Sequence, residues 1–316
     1  MADRKLIAVF GATGAQGGGL ARAILADPER RFLVRAITRD LNSPKARELA
    51  RLGAEVVAAD VDDRKGVERA LDGAYGAFFI TFFWHHLSPA RETAEAREFA
   101  LAARSTGVQH AIWSTLEDTR RWIPLSDERM PTLRGKYKVP HCDGKGEADR
   151  LFSELGVPTT YLLTSFYWES LIHFGLGPRP GADGQLVFAL PMGDRRSPGI
   201  ASEDIGRCAL GIFKSGPALI GKTLGIAGEH PTGAQMAAAF AEALGREVRY
   251  EAVTPEAFRA LGFRGAEELG NMFQFERDFE DYVCRVRSIA SSRSLNPAML
   301  TFAAWLDQNK GRFPLR

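Results

Sequence analysis

From Lys5 to about residue 164, short apolar runs alternate with longer amphipathic ones. The runs Lys5–Phe10, Phe32–Thr38, Ala54–Ala59, Gly76–Thr81, Val108–Ser114 and Thr159–Thr164 are rich in Val, Ile, Phe and Ala and lack clean polar alternation. That is the pattern of strands buried on both faces. Between them, Gly17–Ala26, Pro44–Leu52, Arg64–Leu71, Pro89–Thr106 and Asp143–Leu155 read as helices. Repeated strand–helix–strand units predict a doubly wound parallel sheet with right-handed crossovers and helices on both faces.

After residue 165 the rhythm changes. Gly175–Pro198 is dense in Gly and Pro and holds a hairpin signal around Gly184–Leu190. A helix is predicted near Glu203–Lys214, a strand near Thr223–Ala227, helices after Thr232, Pro255 and Gly265, and a closing helix over Asn296–Asn309. The expected fold is α/β: a domain over residues 1–164, completed by about 202–228, and a smaller, discontinuous α+β lobe within 165–316 across the sheet's carboxyl edge. The connection from Leu116 to Lys138 carries charge, two prolines (Pro124 and Pro131) and little apolar periodicity. It is expected to have few means of burying itself.

Length and composition narrow the function classes. A chain of 316 residues suits one large domain plus a lobe. Its 41 basic and 39 acidic residues leave a net charge of +2, which gives no bulk attraction to nucleic acid or membrane. Arg134, Lys136 and Lys138 form only a short basic loop, with Tyr137 its single stacking aromatic. Cys142, Cys208 and Cys284 have no paired or metal-ligand spacing, which suits a reducing cytosol. Met1-Ala2-Asp3-Arg4-Lys5 runs straight into the first strand with no apolar leader, and no run of about twenty apolar residues follows. A cytoplasmic protein is expected.

The first strand ends in Phe10-Gly11-Ala12-Thr13-Gly14-Ala15-Gln16-Gly17, a G-x-x-G-x-x-G loop opening a helix. Glycines there let the backbone turn tightly and approach a pyrophosphate, and the helix start offers unpaired N–H groups to that anion. The loop thus identifies the sheet as a Rossmann sheet binding a dinucleotide. Thr38-Arg39-Asp40 ends the second strand, about twenty residues on, where the ribose is read. Arg39 fits a 2′-phosphate and hence NADP(H), while Asp40, one residue later, is the NAD-type alternative. In Asp60-Val61-Asp62-Asp63, Asp60 is placed to accept from the adenine amine and Val61 to pack on the ring, with Asp62 or Asp63 capping the next helix. Thr81 falls where the nicotinamide-side ribose should pass.

The glycine loop, Thr38-Arg39, Gly53-Ala54-Glu55-Val56-Val57 and His141-Cys142-Asp143-Gly144-Lys145-Gly146-Glu147 resemble the NmrA-like branch of the atypical short-chain dehydrogenases/reductases, nearest its NADPH-sensor subgroup. The resemblance continues through Thr254-Pro255-Glu256, Leu261-Gly262-Phe263, Asn271-Met272-Phe273 and Trp305-Leu306-Asp307-Gln308. It implies NADP(H) binding, a regulatory or redox-sensing role with a protein partner, and possible homodimers. It also implies that Leu163-Thr164-Ser165-Phe166-Tyr167 is the nicotinamide-side loop, with Phe166 and Tyr167 covering the ring. Relatives commonly carry Arg and Pro where this chain has Leu163 and Ser165.

Active short-chain dehydrogenases use a Tyr proton donor, a Lys four residues later and a Ser ending the preceding core strand. Here Ser114 and Lys145 are present, but His141 stands in the Tyr position. On a helical wheel His141 shares the apolar face of Ala148, Leu151, Phe152 and Leu155, with Lys145 at its edge. An imidazole can donate a proton. It is shorter than a phenol, however, and a nearby ammonium is expected to hold it neutral. The structural alternative is a partly buried histidine held by hydrogen bonds. Phe82-Phe83-Trp84 either covers the nicotinamide from the other side or packs in the core, and His85-His86, pointing apart, predicts no metal site. Two readings follow: an NADP(H) sensor lacking the usual catalytic Tyr, or an NADPH-dependent reductase of a small carbonyl, quinone or enone.

Overall fold

A computed structural model describes residues 4–314; Met1–Asp3, expected to lead straight into the first strand, lie outside the described residues. The first half runs β1 (Lys5–Val9), α1 (Ala15–Ala26), β2 (Phe32–Thr38), α2 (Pro44–Arg51), β3 (Glu55–Ala58), α3 (Arg64–Leu71) and β4 (Gly76–Phe79). It continues with the single turn α4 (Phe83–His86), then α5 (Pro89–Thr106), β5 (His110–Thr115), α6 (Pro140–Glu154) and β6 (Thr159–Leu163). After it come β7 (Phe166–Tyr167), α7 (Glu169–His173), β8 (Arg179–Pro180), β9 (Leu186–Leu190), β10 (Gly199–Ile200), α8 (Ser202–Ser215) and β11 (Thr223–Gly225). The chain closes with α9 (Gly233–Leu244), β12 (Val248–Ala252), α10 (Pro255–Arg259), α11 (Ala266–Asp278), α12 (Glu280–Val286), α13 (Ile289–Leu295) and α14 (Phe302–Asn309).

Seven strands form one parallel sheet in the order β11-β6-β5-β4-β1-β2-β3. Alternate side chains along β1 and the residue after it divide the core: Ile7 and Val9 pack with α1, α2 and α8, whereas Ala8 and Phe10 pack with α3, α5 and α6. Helix α5 occupies the predicted span because Ser88 accepts from Arg91 N, Pro89 starts the first turn and Gly107 ends it at φ 70°. Its buried stripe is Glu92, Ala96, Phe99, Ala100 and Ala103, so a carboxylate sits on the apolar face.

Helix α8, from the second half, lies against α1. A Cβ on Gly206 would stand 2.1 Å from Leu20 N, and one on Gly19 would stand 2.9 Å from the Glu203 carbonyl oxygen. Only glycines allow the two backbones to meet this closely. The smaller lobe holds a parallel β7–β10 pair and the three-stranded sheet β12-β9-β8, with Trp168, Phe188, Phe240, Phe273 and Trp305 in its core. The predicted hairpin is the antiparallel β8–β9 pair. Among the described residues no helix is long and apolar enough to cross a membrane.

The structure departs from expectation in three places. The predicted closing helix over Asn296–Asn309 starts late: α13 ends at Leu295 with Asn296 as its cap, and α14 begins only after Thr301. Asn296 Oδ1 accepts from Ala298 N, its amide donates to Asp204, and Thr301 accepts from Ala304 N to start a new helix. Neither Asp62 nor Asp63 caps α3 with its side chain. Asp63 occupies the cap position but pairs with Arg69, and Asp62 pairs with Arg91.

The third departure is the 116–138 connection, which is anchored rather than free. Asp143 accepts from Thr119 N, Lys138 N and Val139 N. The fully buried Lys138 ammonium donates to the carbonyls of Asp127 (2.6 Å) and Met130 (2.7 Å). From α11, Asn271 donates to the carbonyls of Pro131 and Lys138, and Gln274 to that of Arg129. Some of the loop's partners thus lie on α11, far along the chain, where local periodicity cannot register them.

Candidate functional site

The sheet's winding reverses between β1 and β4, so their carboxyl ends flank a crevice, the place where open parallel sheets take ligands. Between β1 and α1 the glycine loop is pulled tight by Gly14 N donating to the Gly11 carbonyl (2.8 Å), with Gly11 at φ 64°. A Cβ on Gly17 would lie 2.5 Å from the Gly11 carbonyl oxygen, so only hydrogen fits there. Gly14, the cap residue of α1, makes no side-chain cap bond, and the first turn has no acidic residue. Thr13 is half-buried, and Gly14 and Ala15 are exposed. The N–H groups at this helix start therefore open onto the crevice without a competing carboxylate, which fits a pyrophosphate.

At the adenosine end, Arg39 is exposed and makes no hydrogen bond or ion pair to any described residue. Asp40 is tied into its own turn, Oδ1 accepting from Asn42 N (2.8 Å). Asp60 likewise accepts from Asp62 N (3.1 Å), and the half-buried Val61 packs at the sheet's edge. The free cation, not the neighbouring carboxylate, fits a 2′-phosphate.

At the other end, side chains from five elements interlock. Ser114, ending β5, donates from Oγ to Gln16 Oε1 (2.8 Å), and Gln16 Nε2 donates to the Tyr167 hydroxyl. The Lys145 ammonium donates to Thr81 Oγ1 (2.7 Å) and to the Ser114 carbonyl (3.3 Å), and stands 3.3 Å from Glu92 Oε2. Thr81 Oγ1 in turn donates to Glu92 Oε2 (2.6 Å). Three oxygens thus surround the ammonium, and the Thr81 hydroxyl bridges the ion pair. Burial alone would push the Glu92 carboxyl up, but the Lys145 charge and the hydrogen bonds around it prevail and hold it below the ordinary carboxylate value.

Glu92 was not foreseen as a site residue. Its signal was a charge on the apolar stripe of α5. His86 and Glu95 gather beside it, their ligand-type atoms within 4.8 Å of one another. Ser88 N donates to His86 Nδ1 (3.0 Å), which leaves the neutral ring's proton on Nε2, facing Glu92 at 3.5 Å and Glu95 at 3.9 Å. Among the described residues, neither His86 Nε2 nor Glu92 Oε1 has a hydrogen-bond partner, and both atoms are buried.

His141 stands apart from Lys145's partners. Helix α6 begins at Pro140, earlier than predicted, which places His141 in the first turn. Its backbone N donates to Glu268 Oε1 (2.7 Å), its Nδ1 lies 3.2 Å from the same oxygen, and Arg134 holds Oε2 at 2.7 Å. The ring packs on Phe83 and Trp84. The expectation that an ammonium faces the imidazole is thus corrected: Lys145 is matched by Glu92, and the ring faces a carboxylate contributed by α11. Glu268 was missed because nothing local marks it. Phe166 is corrected too: it packs on Phe273 in the lobe core, leaving Tyr167 alone to reach the crevice. Of the aromatic triplet, Phe83 is core, Trp84 packs on Phe174, and Phe82 is 63% exposed.

The sequence profile of the NmrA-like family matches residues 3–306. The NmrA-like family domain-containing oxidoreductase FrzB of Cladobotryum sp is 31% identical over 85% of this chain and 83% of its own. The structure of NmrA, a negative transcriptional regulator, in complex with NADP superposes with a TM-score of 0.77 at 24% identity, covering 96% of this chain and 95% of that one. A Citrobacter sp. triphenylmethane reductase complexed with NADP(H) superposes with a TM-score of 0.73 at 17% identity, covering 97% and 99%. The fold is shared with both, and the extent of the sequence match decides the family: this chain belongs to the NmrA-like family.

Proposed function

We propose that this protein binds NADP(H) across the β1/β4 crevice and works as a redox sensor or regulator rather than by short-chain dehydrogenase chemistry. One observation carries the reading: each residue at a catalytic position is already engaged elsewhere. Ser114 is bonded to Gln16, Lys145 is matched by Glu92 and Thr81, and His141 is held by Glu268. No phenol stands four residues before Lys145 to receive its influence. Gly11 to Gly17 would hold the pyrophosphate, Arg39 the 2′-phosphate, and Asp60 with Val61 the adenine. Thr81, Lys145 and Tyr167 would border the nicotinamide half. When bound, the cofactor supplies a ring whose charge differs between its two redox states. The complex of the regulator NmrA with NADP supports this reading, and a regulatory protein partner or a second copy of the chain is its natural target.

The reductase reading is favoured by the oxidoreductase names of relatives such as FrzB and by Ser114 and Lys145 at the catalytic positions. Calorimetric titration with NADPH and NADP+, followed by incubation of bound NADPH with a panel of carbonyls, quinones and enones, separates the two. The sensor reading expects binding without oxidation. Robust oxidation that collapses in His141→Ala makes the protein a reductase.

A further inference from the structure

Glu92 is wholly buried, is held in its charged form, and accepts from the Thr81 hydroxyl at the end of β4. Among the described residues its nearest charged group is the Lys145 ammonium, whose side chain is 10% exposed, with His86 Nε2 at 3.5 Å on the other oxygen. Two charges this close and this dry nearly cancel at a distance, and salt screens them little. Removing either leaves a bare charge at the carboxyl ends of β4 and β5.

NADP+ and NADPH share every phosphate, both riboses and the adenine. They differ at the nicotinamide, which is positive when oxidised and neutral when reduced. A site can therefore tell them apart electrostatically only through charge near that ring. We infer that Glu92 sets the preference between the two redox forms by cancelling the Lys145 charge beside the nicotinamide. This rests on the proposed placement of the cofactor, with Lys145 at its nicotinamide end. With the pair intact the oxidised ring meets little repulsion. With the carboxylate removed, the uncompensated ammonium repels NADP+ and leaves NADPH almost untouched. His86 and Glu95 complete the surroundings: His86 turns its Nε2–H toward both carboxylates, and Glu95 is held by Arg91, so neither replaces the lost charge.

The test is the ratio of dissociation constants, Kd for NADP+ over Kd for NADPH, measured by calorimetry. Glu92→Gln keeps the volume and an oxygen for Thr81 but removes the charge. The ratio is expected to rise about tenfold or more, and the double variant with Lys145→Met should return it to within roughly threefold of the parent. A purely structural role would weaken both cofactors alike and leave the ratio unmoved, which overturns the inference. Should Glu92→Gln not fold, Lys145→Met at pH 9 is the second arm. A lone carboxylate there attracts the oxidised ring and moves the ratio the other way, and an unmoved ratio is again fatal. If the parent protein binds neither form, the NADP(H) reading itself fails. Binding with an unmoved ratio removes only the role given to Glu92.

Discussion

Arg287 and Glu117 form a buried bidentate ion pair, Nη1 and Nη2 at 2.6 and 2.8 Å from the two carboxylate oxygens, each side chain only 5% exposed. Glu117 follows β5 and Arg287 follows α12, so the pair joins the Rossmann sheet to the last part of the chain. Arg287 Nε also donates to the Thr164 carbonyl beyond β6 (2.8 Å). Arg287→Ala leaves a carboxylate buried without its partner and should destabilise the protein by roughly 3–5 kcal/mol. Denaturant unfolding measures this; a loss below about 1 kcal/mol would show the pair to be dispensable.

Arg39 has no partner among the described residues, so its removal should cost no stability and act only on the cofactor. Arg39→Ala is expected to weaken NADPH binding by roughly 1.5–3 kcal/mol and to leave NADH binding nearly unchanged. Calorimetry with both cofactors checks it. Equal losses would mean that Arg39 does not read the 2′-phosphate.

The imidazole of His141 serves Glu268 in this structure, and that makes a prediction opposite to a catalytic one. His141→Ala should cost about 1–3 kcal/mol of stability, because a buried carboxylate loses a donor, yet change NADPH affinity less than threefold. Unaltered stability with abolished turnover would assign the ring to catalysis instead.

Asp149 on α6 accepts from Trp113 Nε1 and Thr115 Oγ1, and burial pushes its carboxyl up to about 7. A carboxyl raised on folding stabilises only while protonated: its contribution is full below the unfolded value near 4 and is lost as pH rises through about 7. Asp149→Asn keeps the accepting oxygen without the charge. The variant should gain on the parent by about 2–4 kcal/mol at pH 8, with the gain vanishing near pH 4. Unfolding curves at the two pH values decide it, and a pH-independent difference would refute the ionisation argument.

The elements read correctly from sequence were those whose signals are local. Helix α5 had its cap, its proline and its closing glycine in a row, and the six strands of the first half were continuous apolar runs. Strand β12, Val-Arg-Tyr-Glu-Ala, was missed because an edge strand half-open to water carries no such run. Helices α12 and α13 have seven residues each, too short for a clear period. At the candidate site, the expectation for the glycines and Arg39 came from spacing alone. The pairing of His141 with Glu268 spans 127 positions, and that of Lys145 with Glu92 depends on two helices meeting over the sheet. No periodicity encodes which polar groups a fold will bring face to face.

Gly19 and Gly206 place the backbones of α1 and α8 in contact, and α1 is the helix whose start forms the anion cradle. A position in the second half therefore governs the aim of N–H groups it never approaches. The two segments work as a matched pair, since a methyl group at either glycine would collide with the facing backbone and push the two helices apart. Exchanging the second half for that of a relative without a residue this small at the same contact would impair dinucleotide binding while leaving every ligand-facing residue in place.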